Sequence, residues 1–122
     1  MKSYLLVICT CLLMIACRDT SVTGYQTRQE AEADRLFERG WLPAIIPESS
    51  YGIVVKNDLD LNVSEGEFRF KTEDREAFLT RLKRESSADE VGFFAYRYEA
   101  WSFLISAEEG TVFCKYRMSD RE

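Results

Sequence analysis

The chain has 122 residues, a net charge of −5, 46% hydrophobic residues and no histidine. That length supports one folded core, and the acidic balance excludes a phosphate-neutralising nucleic-acid surface. Without an imidazole, a Gly-rich phosphate loop or a Ser elbow, catalysis would rest on carboxylates alone. No catalytic residue, cofactor or metal ligand is therefore assigned, and a non-enzyme is expected.

Lys2 precedes an uncharged apolar run over residues 4–16. A membrane-spanning helix needs about 20 such residues, so the run reads as an export signal rather than a transmembrane anchor. It ends in Met14-Ile15-Ala16-Cys17, which resembles the lipobox of bacterial lipoproteins, with Met14 standing where Leu is usual. The resemblance implies cleavage before Cys17, a diacylglycerol on its thiol and acylation, commonly by palmitate, of the new amine. Two or more acyl chains hold a protein durably at a membrane. The expected division is a signal peptide over 1–16, lipidated Cys17 with a flexible tether over 17–26, and one domain over 27–118. The membrane is then a partner through the lipid on Cys17, and the domain faces the periplasm or the cell exterior. Arg18, rather than Asp, follows Cys17, which leans towards the outer membrane in a cell that has one.

Removing the leader takes away Lys2, Cys9 and Cys11, which moves the net charge from −5 to about −6. Cys17 carries lipid and Cys114 remains alone, so no disulfide framework is expected. Cys114 lies among apolar and aromatic residues and reads as a buried core residue.

Residues 18–26 are polar and aperiodic, and as a flexible tether would reach roughly 15–18 Å. Thr27 and Glu30 have capping-box spacing, which predicts a helix over 27–39 with Ala33, Leu36 and Phe37 on its buried face. Gly40 is its expected left-handed stop, with Trp41 packing back on Leu36. Pro43 and Pro47 forbid a regular helix over 41–50. That apolar segment is expected to cross the core with Trp41, Ile45 and Ile46 buried, rather than to form an exposed binding ridge. Residues 51–56 read as a strand and Asn57-Asp58 as a turn. Leu59, Leu61 and Val63 alternate with Asp60, Asn62 and Ser64, and Phe68 and Phe70 alternate with Arg69 and Lys71. Asp58, Asp60 and Asn62 match the first, third and fifth positions of a calcium loop. Val63 stands where Gly belongs and Arg69 where Glu belongs, so a turn explains them better.

Thr72 is the expected cap of a second helix over 72–84, with Phe78, Leu79 and Leu82 buried and basic residues closing its end. Residues 85–90 form a polar connection. From residue 91 the pattern is β: Phe94, Tyr96 and Tyr98; then Trp101, Phe103 and Ile105; then a hairpin turn at Gly110; then Val112, Cys114 and Tyr116. Such aromatics could form a stacking platform for a single strand or a sugar, but cross-strand pairing in a core is their ordinary use.

These elements predict an α+β domain, an antiparallel sheet of four to five strands with two helices packed on one face. Gly40-Trp41-Leu42-Pro43, Ile46-Pro47-Glu48-Ser49, Asp58, Asp60, Asn62 and Phe68-Arg69-Phe70 are together similar to a pattern of small bacterial lipoproteins of the YbbD-like kind. The resemblance implies an envelope lipoprotein and supplies no mechanism. The expected function is a non-catalytic binding or structural module at the cell envelope, with an envelope component as partner. The alternative is an immunity lipoprotein that neutralises a basic toxin or hydrolase.

Overall fold

The computed structural model describes residues 20–58, 61, 63–85, 92–108 and 110–118, with the side chains of Thr20, Ala107 and Glu108 excepted. Within them the chain forms β1 (Thr20–Thr27), α1 (Arg28–Ala33), β2 (Tyr51–Asp58) and β3 (Val63–Lys71). A 3-10 turn (Thr72–Asp74) leads into α2 (Arg75–Leu79), followed by β4 (Lys83–Arg84), β5 (Phe94–Tyr98), β6 (Trp101–Glu108) and β7 (Thr111–Met118). The strands form one seven-stranded sheet in the order β1-β2-β3-β7-β6-β5-β4, and every neighbouring pair is antiparallel.

The expected α+β layering with four to five strands is therefore corrected. The sheet dominates, and the helices are only six and five residues long. The reason is visible at each end of the chain. Residues 20–26, expected to be a tether, form most of β1 and pair with β2 from Thr20↔Asp58 to Tyr25↔Ile53. Among its described side chains Tyr25 alone is buried, so no period-2 apolar pattern marks it. Residues 83–84, expected to end the second helix, instead pair with β5, where the Arg84 guanidinium stacks 4.5 Å over Phe94 and 5.2 Å over Tyr96. Helices this short have no stability of their own, so tertiary contacts override local propensity.

α1 begins as expected. The Glu30 N–H donates to the Thr27 hydroxyl at 3.2 Å, while the Glu30 carboxylate takes the N–H of Gln26 at 2.8 Å. It ends six residues early, because Arg35 adopts a left-handed φ of 59°. Arg35 N–H reaches Glu32 O and Leu36 N–H reaches Ala31 O, the bond pattern of a Schellman ending with arginine in glycine's place. One turn later Gly40 (φ 77°) repeats it, with Gly40 N–H on Phe37 O and Trp41 N–H on Leu36 O. The expected stop at Gly40 is there; the unexpected one at Arg35 turns Leu36 inward to 1% exposure. Ala31, not Ala33, is the buried alanine of this stretch.

The core lies on one face of the sheet. Ile53, Val55, Phe68, Phe70, Phe103, Ile105, Val112 and Cys114 point into it, and α1, α2 and the 41–50 crossing cover it through Ala31, Phe78, Leu42, Ile45 and Ile46. The crossing is core, as expected, although Leu42 is buried and Trp41 only half-buried. Phe78 of α2 meets Phe70 and Phe103 edge-on at 5.4 and 5.6 Å, and each such ring contributes about 2–3 kcal/mol by burial. Phe68 and Phe70 set the phase of β3, and that phase inverts the expected alternation before them. Ser64 is fully buried, donating to the Trp41 carbonyl at 2.8 Å, while Leu61 is exposed.

Arg28 fastens α1 to the 41–50 crossing. It is buried, pairs with Glu32, donates to the Ala44 carbonyl at 2.8 Å and stacks 4.7 Å over Phe37. Among the described residues no helix is long and apolar enough to cross a membrane.

Candidate functional site

Side chains alternate across a sheet, so covering one face leaves the other composed of the intervening residues. Strand register arranges these in rows. One row runs Val54–Glu67–Lys115–Leu104–Ala95 across β2, β3, β7, β6 and β5. The next runs Val22–Lys56–Glu65–Arg117–Ser102–Arg97 from β1 to β5. Apart from Arg97, these residues line a trough of about 720 Å³ on the uncovered face. Opposite charges stand as cross-strand neighbours at Lys56/Glu65, Glu65/Arg117 and Glu67/Lys115, the arrangement that stabilises adjacent strands. Arg97 is held at 3.5 Å from Glu85, which also lines the trough. Val22, Val54, Leu104 and Ala95 supply an apolar component between the charges.

An aromatic cluster closes one end of this face. Arg69 stacks 4.6 Å over Phe113, Phe113 meets Phe93 edge-on at 6.1 Å, and Lys115 lies 5.0 Å over Phe93.

Gly66 and Tyr116 sit at the floor. Gly66 opposes Val55 on one side and Tyr116 on the other. A Cβ at residue 66 would stand 1.9 Å from the Val54 carbonyl oxygen and 3.0 Å from the Tyr116 hydroxyl, so only glycine fits. The β2–β3 register shifts just before this point, between Tyr51 and Val54, which is how the backbones come so close. Tyr116 lines the floor while its ring belongs to the core cluster; there its phenol is buried without a hydrogen-bond partner, beside the Ser64 hydroxyl that donates to the Trp41 carbonyl. Burial pushes its pKa far up, with Ser64 pulling weakly the other way.

Of the residues singled out in the sequence, Cys17, Asp60 and Asn62 lie outside the described residues. Asp58 closes a turn, its carboxylate accepting from Leu61 N–H at 3.2 Å. Cys114 is a free thiol buried in the core, and burial raises its pKa well above the ordinary value. It belongs to the core cluster on the covered face, and its thiol donates to the backbone carbonyl of Lys115 at 3.6 Å. Among the described residues no three of Cys, Asp and Glu are grouped to hold a metal ion. The trough itself escaped sequence reasoning. Its signal was the polar half of each alternation, Glu65/Glu67, Lys115/Arg117 and Lys56, which looks like ordinary solvated surface until β3 is known to neighbour β7.

The molecule is thus a sheet-based domain with one covered face and one open, charge-laddered face. Over residues 19–69, a stretch that holds most of β1–β3, α1 and the crossing, it matches the family model of the YbbD head domain. The YbbD-like similarity read from the 40–70 motifs holds over that stretch, and the β7–β6–β5 half of the trough lies beyond it. No curated protein and no solved structure matches the chain.

Proposed function

We propose that this chain is a bacterial envelope lipoprotein, anchored through acylated Cys17, whose domain offers the open sheet face to a partner at the envelope and catalyses no reaction. The observation that carries the reading is the trough itself, an apolar strip bounded by alternating charges on a face that α1 and α2 leave bare. Such a surface gives shape and charge complementarity to a protein or polymer. The leader and the YbbD head-domain match support the envelope setting.

The test is capture from cross-linked envelopes with the full chain and its Leu104→Asp variant. Leu104 is half-buried on the open face, so the variant is expected to keep its circular dichroism and lose the captured species at least tenfold. Unchanged capture refutes the trough as the docking surface. Separately, Cys17→Ser is expected to leave the membrane pellet; a variant that stays there refutes the lipid anchor.

One observation favours a second reading, the immunity or inhibitor protein. Glu30, Glu32, Asp34 and Glu38 all lie exposed on or just after α1, though Arg28, Arg39 and Arg35 already pair with three of them. Capture of one basic secreted protein that survives Leu104→Asp but is lost in high salt would replace the first reading with this one.

A further inference from the structure

The two edges of the sheet are built differently. An edge strand turns alternate backbone N–H and C=O groups outward, and proteins blunt it with short length, charge, proline or a bulge. β4 is blunted, being two residues long and both of them, Lys83 and Arg84, cationic and exposed. β1 is not. It runs eight residues, Thr20–Thr27, with no charged residue and no proline, and its register with β2 is unbroken from Thr20 to Tyr25. Residues 21–24 are exposed, Val22 at 67%, and β1 has a neighbouring strand on one side only.

We propose that β1 pairs antiparallel with β1 of a second copy of this chain across a two-fold axis, joining the two sheets edge to edge. The charge pattern selects this occupant. Self-pairing of an uncharged strand sets no like charges opposite one another, whereas self-pairing at β4 would oppose Lys83 and Arg84 to their own kind. The apolar pattern agrees, because Val22 is both the exposed apolar residue of β1 and the end of the trough lining. Pairing covers it and lets the two troughs run into one. The blunted β4 edge also stops head-to-tail growth from β1 to β4, so assembly closes at two copies instead of extending into a fibre. A single-strand interface is small, and the dimer is weak and concentration-dependent.

The experiment uses the full chain with single Cys substitutions of Ser21, Val22, Thr23 and Gly24, and Lys83→Cys as the opposite-edge control. Residues facing each other across antiparallel strands have Cα atoms about 4.5–5.5 Å apart, within disulfide reach. Mild oxidation is expected to give a homodimer band above the wild-type background, strongest at one of residues 21–24, and none from Lys83→Cys. Val22→Lys is expected to cut the dimer fraction measured by light scattering at least tenfold with an unchanged circular dichroism spectrum. Equal cross-linking at both edges, no homodimer at any of the four positions, a dimer that survives Val22→Lys, or a cross-link to a different protein each overturns the proposal. The last would assign the edge to an extended segment of another chain.

Discussion

Gly66→Ala and Gly24→Ala are the same chemical change on the two strands that flank β2 and are expected to act in opposite directions. Both reduce the freedom of the unfolded chain, which by itself stabilises by about 0.4–1 kcal/mol. At residue 24 the new methyl meets only the Ile53 carbonyl oxygen at 4.0 Å, an ordinary contact, so that small gain survives. At residue 66 it would stand 1.9 Å from the Val54 oxygen and 2.9 Å from the Val54 carbonyl carbon, both backbone atoms that cannot swing aside. Relief requires β2 and β3 to part by more than an ångström, which takes two or three ladder hydrogen bonds out of range at about 1 kcal/mol each. Displacement of the Tyr116 ring adds an overpacking cost, for a total of about 3 kcal/mol. At a slope of about 2 kcal/mol per molar urea, the unfolding midpoint falls by about 1.5 M. Urea titration followed by the fluorescence of Trp41 and Trp101 reads both variants. A Gly66→Ala chain as stable as Gly24→Ala would refute the close approach of β2 and β3 at the trough floor.

Arg35→Gly is expected to stabilise the chain by about 0.5–1 kcal/mol, because glycine adopts the left-handed φ of 59° without the Cβ penalty and the Arg35–Glu38 pair is well exposed. Thermal unfolding should rise by a few degrees, and a fall would show that the Arg35 side chain matters more than its backbone. Arg28→Met keeps an apolar stem but leaves the Ala44 carbonyl without its donor, and is expected to cost about 2 kcal/mol in the same titration, whereas Glu48→Gln, at an 87% exposed partner, should stay within about 0.5 kcal/mol. Burial raises the folded-state pKa of Cys114, Tyr116 and Tyr25, the last also through its hydrogen bond to Asp34. The folded chain therefore holds these protons more tightly than the unfolded chain. The stability they contribute is complete below their unfolded pKa values and declines as pH climbs through about 9 for the thiol and about 10 for the phenols, by up to about 1.4 kcal/mol per pH unit for each group. Tyr116→Phe should flatten that decline and, because its hydroxyl is unpartnered, leave stability at pH 7 unchanged or higher by up to about 1 kcal/mol. A steeper alkaline decline in Tyr116→Phe would contradict the assignment.

Much of the burial was legible residue by residue. Phe68, Phe70, Trp101, Phe103, Ile105, Val112, Cys114 and Tyr116 are buried where their alternation placed them, and the proline-flanked crossing lies in the core. Thr27 caps α1 and Gly40 takes the left-handed conformation that its position suggested. The failures share a cause. Val63 and Ser64 were phased by their own neighbours, yet Phe68 and Phe70 set the phase from further along β3, and the Trp41 carbonyl gives Ser64 a partner that no local pattern reveals. The basic residues 83–84 fit a helix end by charge, but stacking on Phe94 and Tyr96 holds them in a strand. The trough was legible only as scattered charges.

By itself the sequence determined which side of most strands is apolar and where the chain must turn. Those are consequences of local geometry: a period of two, a missing Cβ, a missing N–H. The tertiary structure alone decided that residues 20–26 form a strand, that the helices stop after one or two turns, and that β3 lies beside β7. Pairing partners far apart in the chain supply the hydrogen bonds that make an aperiodic polar segment a strand, and no local pattern records who those partners are. The open face, its charge ladder and the unblunted β1 edge all follow from that neighbour order.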